Sequence, residues 1–101
     1  MKQAAWWKEN LHPERIRSRA SRQTYERGEQ YQQAQRVLSL QFTDGELIAR
    51  VQGTEVYDVR FWRRGRELQT DCTCVFAREG AFCKHAVAVA LTIHANLTAD
   101  D

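Results

Sequence analysis

Three cysteines and a histidine crowd into the stretch DCTCVFAREGAFCKH at residues 71–85: Cys72, Cys74, Cys83 and, two positions later, His85. They are all the cysteines of the chain and one of its three histidines. Three thiolates and one imidazole form the soft four-ligand set that structural zinc takes, a closed tetrahedron with no position left for a reactive water. The spacing suits that use. Cys72 and Cys74 are two apart near the end of an expected strand, where extended backbone points both sulfurs the same way. Cys83 and His85 are two apart at the start of an expected helix, whose first N–H groups favour a thiolate. The eight residues between the pairs, 75–82, include Gly80 and can fold back to join them.

Other uses of these residues fit less well. Three free thiols beside a surface histidine would be a coincidence in so short a stretch, and an odd cysteine count does not close a disulfide framework. A redox pair would show C-x-x-C in a thioredoxin-like βαβ context, and the chain has C-x-C without it. A zinc deaminase would show H-x-E with P-C-x-x-C, and neither is present, nor is a P-loop. The sequence therefore predicts a metal-stabilised module and no enzyme. His94, nine residues after His85 on an apolar helix face, reads as a core or half-exposed histidine, and His12 beside Pro13 as a helix-start residue.

The elements that must position the four ligands can be traced backwards. Residues 83–97 read as a helix, with Ala86, Val87, Ala90, Ile93, His94 and Leu97 spaced for a buried face. Before the cluster, three turn signals divide a run of strands. Asp44-Gly45 is a two-residue hairpin loop that pairs Phe42 with Leu47, Leu40 with Ala49 and Leu38 with Val51, all on one apolar face. A three-residue loop at Gly53-Thr54-Glu55 then pairs Val51 with Tyr57, Ala49 with Val59 and Leu47 with Phe61, keeping that face. A third loop at Arg64-Gly65 pairs Phe61 with Leu68, Val59 with Thr70 and Tyr57 with Cys72. Upstream, Pro13 suits the first position of a helix with Glu14 in its first turn. From there to about Ala34 either one long helix or two short ones broken near Ser21 would carry the stripe Ile16, Ala20, Tyr25, Gly28 and Tyr31. The expected class is α+β: an N-terminal helical segment, a four-stranded antiparallel meander, a Cys3His zinc loop at a strand-to-helix junction and a C-terminal helix.

The 101 residues suffice for one domain spanning 1–101, with the metal motif at 72–85 and an N-terminal extension at 1–12. Hydrophobic residues make up 43% and charged residues 28%, and no apolar run approaches the ~20 residues of a membrane span. The first residues lack the apolar core of a secretory signal, which places the protein in a reducing cytoplasm, nucleoid association included. A net charge of +2 is too mild for a nonspecific nucleic-acid coat.

Surface candidates are softer. Arg15, Arg19 and Arg22 recur as a basic helical stripe that either tracks phosphates or is a solvated face. On the outer face of the sheet, Arg50, Arg60 and Trp62 alternate with core positions beside Arg63, Arg64 and Arg66, while Asp58, Glu67 and Asp71 offer neutralising pairs. Lys84, between two ligands, is expected to face solvent, where it meets a phosphate or offsets the charge of the metal site. Trp6 and Trp7 are expected to anchor the N-terminal segment, with partner binding as the lesser use.

The segment CTCVFAREGAFCKH resembles the SWIM zinc finger, whose signature is C-x-C, a variable spacer and C-x-H. YERGEQYQQAQRV is similar to the family's helix ending in R-G-x-x-Y, and VQGTEVYDV to its V-x-G-x-x-x-Y-x-V hairpin, so that residues 24–94 share the resemblance. Gln35 stands where the family commonly ends its helix with glycine. The resemblance implies one structural zinc ion and a module that binds DNA or protein. The expected contacts for nucleic acid are Arg15, Arg19, Arg60, Trp62 and Lys84. The competing expectation is an adaptor for a protein such as a helicase-like ATPase or the recombination machinery; neither a membrane nor a small-molecule substrate is expected.

Overall fold

A computed structural model of the chain describes residues 2–75 and 82–99. The predicted return of the loop through Gly80 lies outside the described residues, as does Met1 of the expected N-terminal extension. Helices α1 (Lys2–Asn10), α2 (Pro13–Arg17) and α3 (Arg22–Gln33) precede an antiparallel sheet of β1 (Val37–Thr43), β2 (Glu46–Gln52), β3 (Val56–Arg64) and β4 (Glu67–Cys72), and α4 (Lys84–Ala99) follows. The strands lie in chain order, as a meander.

Helix α1 was not foreseen. It brings Trp7, and the turn after it Leu11, into the core. The helical stretch beyond Pro13 resolves into two helices. Pro13 opens α2 behind His12, whose Nδ1 accepts from Glu14 N–H, and Ser21 caps α3 by accepting from Thr24 N–H at 3.1 Å. Helix α4 is buried nearly all round from His85 to Leu91, wider than the predicted stripe, because it packs against the other three helices and all four strands.

The Asp44-Gly45 and Gly53-Thr54-Glu55 turns stand as predicted. Asp44 and Gly45 both take positive φ (49° and 80°), and the β2–β3 register pairs Val51 with Tyr57, Ala49 with Val59 and Leu47 with Phe61. Two pairings need correction. In β1 a bulge makes Val37, not Leu38, the partner of Val51. Leu40 and Phe42 lie on the apolar face opposite Ala49 and Leu47, and Phe42 meets the Trp7 ring edge-on at 5.9 Å, yet both stay partly exposed at the sheet edge, as does Leu38 beside the bulge. At the last hairpin the loop is Gly65-Arg66 rather than Arg64-Gly65, because glycine takes the first loop position with φ 63°. Every β3–β4 pair is thereby displaced by two residues, and Cys72 faces Val59 instead of Tyr57. A displacement by two preserves the faces, so Cys72 still enters the core.

Candidate metal centre

Cys72 ends β4, and Cys74 lies two residues on in a bend rather than in the strand. Thr73 pins that bend to β3: its N–H donates to Asp58 O at 3.1 Å, and its Oγ1 accepts from Asp58 N–H at 3.0 Å. Across the gap, Phe82 stacks on Phe61 with ring centroids 5.5 Å apart and donates its N–H to Arg19 O at 3.3 Å, which fixes the approach to Cys83. Cys83 directly precedes α4 and acts as its cap, its Sγ accepting from Ala86 N–H at 3.4 Å. His85 follows in the first turn, so that strand end and helix start supply two ligands each.

The four ligand atoms lie within 4.8 Å of one another, and all four residues are buried. His85 Nδ1 stands 3.9 Å from both Cys72 Sγ and Cys83 Sγ. A tetrahedron with zinc–sulfur bonds of ~2.3 Å has edges of roughly 3.8 Å, so the donor set fits one structural zinc ion, with Nδ1 as the imidazole ligand. The electrostatics favour a cation. The hydrogen bond from Cys72 is the main influence holding the Cys83 thiol well below its ordinary range, helped by His85 and the Ala86 N–H against the desolvation of burial. Cys72 is pushed up by donating to Cys83 and then by burial. One negative charge is thus already stabilised there, and zinc would displace the remaining thiol protons. Bound there, the ion would tie β4 to α4.

Behind the ligands stands a shell of aromatic and glycine residues that the sequence reading treated only as fold. The Tyr57 ring lies 4.4 Å from the His85 ring at 30°, and Tyr31 meets it edge-on at 5.4 Å. Tyr57 is held by a 3.0 Å hydrogen bond between its hydroxyl and Thr54 Oγ1. A Cβ on Gly53 would fall 2.8 Å from Tyr57 Cε2 and 3.2 Å from His85 Nε2, so only glycine fits. Gly28 lets α3 approach α4, since a Cβ there would run into Val87 and come 3.1 Å from Lys84 O. The signal was present in the R-G-x-x-Y and V-x-G-x-x-x-Y-x-V segments, whose glycines and tyrosines converge on His85 and α4.

The predicted surface contacts fare differently. Arg15 binds Glu9 at 3.1 Å, and Arg22 stands on a separate helix paired with Glu26, so the basic stripe is broken. Arg19 is half-buried: its Nη1 donates to Leu68 O at 2.9 Å, its guanidinium lies 4.7 Å from the Phe82 ring centre, and desolvation lowers its pKa. It stitches the exit of α2 to β4. Arg60 lies over the half-buried Trp62 at 4.3 Å and 3.9 Å from Glu46, and Arg50 pairs with Asp58 at 3.4 Å. Lys84 is half-buried rather than turned fully to solvent, its Nζ 5.4 Å from the centre of the Tyr31 ring, with Arg36, which sequence reasoning missed, at 5.5 Å from the same ring. His94 is not drawn to the cluster; its ring meets that of His12 at 5.1 Å.

No match was found among curated proteins or solved structures. A family model does match: residues 50–94 fit the SWIM zinc finger, from the middle of β2 into α4. Residues 50–94 thus match the SWIM zinc finger, and Cys72, Cys74, Cys83 and His85, the four residues placed to hold a metal ion, all lie within the matched segment.

Proposed function

We propose that the chain is a zinc-scaffolded nucleic-acid-binding module, an accessory in the cytoplasm or on the nucleoid, with DNA as the first ligand to test. The observation that supports this reading is the pair of cations at the metal end. Lys84 and Arg36 flank Tyr31, and neither has a carboxylate partner among the described residues. Arg27, exposed and one turn before Tyr31 on α3, extends the patch. Two cations beside an aromatic ring suit a phosphate backbone and a stacked base. The other candidates are more firmly held: Arg15 and Arg60 lie against carboxylates, and the half-buried Arg19 donates to the Leu68 carbonyl at 2.9 Å, whereas the exposed Arg36 reaches the Gln52 carbonyl only at 3.5 Å. In this reading the metal holds shape and performs no reaction, and the module carries no catalysis.

The test is a titration of zinc-loaded protein against labelled duplex DNA, single-stranded DNA and RNA at low and near-physiological salt. Affinity should fall as salt rises, and Arg36→Ala and Lys84→Ala should each reduce the slope of log affinity against log salt by about one. Arg60→Ala should leave it unchanged. Absence of binding at low salt defeats the reading and favours an adaptor for a protein such as a helicase-like ATPase. That second reading rests on a cleft of about 420 Å³ walled by Trp6, Trp7 and Trp62, all the tryptophans of the chain. Among the described residues, no helix is long and apolar enough to cross a membrane.

A further inference from the structure

The two edges of the sheet differ. β4 carries Glu67 and Asp71, and Arg19 occupies its Leu68 carbonyl. β1, of sequence VLSLQFT, has no charge and no proline, the devices that usually stop an edge from pairing. Leu40 is 36% exposed and Phe42 44%, although both point to the face that the rest of the sheet buries. The bulge between Val37 and Ser39 disturbs only the beginning of the strand, leaving residues 39–43 in regular register with β2.

From these features we infer that β1 pairs antiparallel with β1 of a second copy, about a two-fold axis at Gln41. The five residues Ser39, Leu40, Gln41, Phe42 and Thr43 alternate polar and apolar, a pattern, though not a sequence, that is the same in both directions. Antiparallel pairing centred on Gln41 sets Leu40 against Phe42 of the second copy, Phe42 against its Leu40, and Ser39 against its Thr43. Apolar meets apolar on the core face, polar meets polar on the other, and no like charges meet. The backbone agrees with this register. Thr43 and Glu46 flank the two-residue loop and so exchange hydrogen bonds; by alternation Gln41 and Ser39 also turn their backbone groups to β2, while Leu40 and Phe42 turn theirs outward. Leu40 and Phe42 are the residues that must bond across the junction when the axis lies at Gln41. An axis at Leu40 would set Phe42 against the bulged Leu38 and lose the regular ladder. The pairing makes one eight-stranded sheet and brings the exposed Leu40 and Phe42 side chains of both copies together. It is independent of the nucleic-acid reading, because neither Lys84 nor Arg36, which only precedes β1, is among the pairing residues 39–43.

Sedimentation equilibrium of the zinc-loaded protein over a range of concentrations tests the pairing. The expected result is a mass rising to twice that of the chain, with Leu40→Lys weakening association by at least about tenfold while zinc content and circular dichroism stay unchanged. A second variant tests the register without relying on that one. Opposed residues in a pair without hydrogen bonds have Cβ atoms about 4.5–5.5 Å apart, near disulfide reach. Gln41→Cys should therefore give a covalent dimer on mild oxidation with zinc retained, and Ser39→Cys should not. A monomer throughout the range, which leaves the edge to a strand from another protein, overturns the inference. So does a dimer that survives Leu40→Lys, or equal cross-linking by the two cysteine variants.

Discussion

Tyr57 and Tyr31 leave the His85 ring little freedom, one lying along its face and the other meeting it edge-on, while Gly53 closes the side of Nε2. Orientation of this kind matters because groups behind the ligands, conserving geometry, typically change metal affinity 10–100-fold when lost. Gly53→Ala should thus weaken zinc binding by about that factor without touching a ligand. The added methyl must displace a ring edge that the Thr54 hydrogen bond holds in place. Competition with a chromophoric chelator reads the change, and an unaltered zinc affinity would show that the glycine is dispensable to the site. The ligands themselves were legible because soft residues at fixed spacing have few other uses. Their supporting shell was marked by the two glycine–tyrosine segments but its role was not legible, since Tyr31 and Tyr57 lie far from His85 in the chain and only the folded α3 and β3 bring them to it.

Helix α3 shows what an unfavourable residue does at a point where the backbone leaves no alternative. It ends in a Schellman motif: Arg36 N–H donates to Tyr31 O and Gln35 N–H to Gln32 O, both at 3.0 Å. The residue after the cap must then be left-handed, and Gln35 takes φ 58° there. A side chain in that region costs about 1 kcal/mol that glycine does not incur. Gln35→Gly should raise the melting temperature by roughly 4–8 °C, as expected of 1 kcal/mol in a domain of this size. A melting temperature that fails to rise would mean that the Gln35 side chain makes good the strain. The same helix offers the opposite case at Gly28, where a Cβ meets Val87 and the backbone of α4; Gly28→Ala should lower the melting temperature by several degrees, and an unchanged value would show that the two helices can separate slightly at no cost. At this scale the sequence was readable wherever a turn has one solution, as at Asp44-Gly45. It was ambiguous where two loops preserve the same faces, as at Gly65, and silent on α1, whose apolar content lies in the adjacent Trp6 and Trp7 without a helical period.

In the whole molecule the metal-binding cluster stands where the sheet meets the central helix. α4 packs against every other element, and its first turn contributes His85 while β4 supplies Cys72, so loss of the ion frees the N-terminal end of the helix on which the rest of the core is built. Cys72, Cys74, Cys83 and His85 would then be left as a buried polar cluster whose negative charge is held by hydrogen bonds alone, a costly state in an apolar surrounding. Structural zinc contributes on the order of 10 kcal/mol, comparable with the whole stability of a small domain, so the two quantities cannot be separated in a protein of this size. Removing zinc with a strong chelator should therefore abolish the cooperative melting transition and most of the helical circular dichroism together, and adding one equivalent of zinc back should restore both. Cys83→Ser should reproduce the chelated state, because it removes a ligand and the thiolate that caps α4 at once. A Cys83→Ser protein that melts at the native temperature with a full complement of zinc would contradict this, and would mean that the helical layer and the sheet hold together through Phe61, Phe82 and their neighbours without the ion.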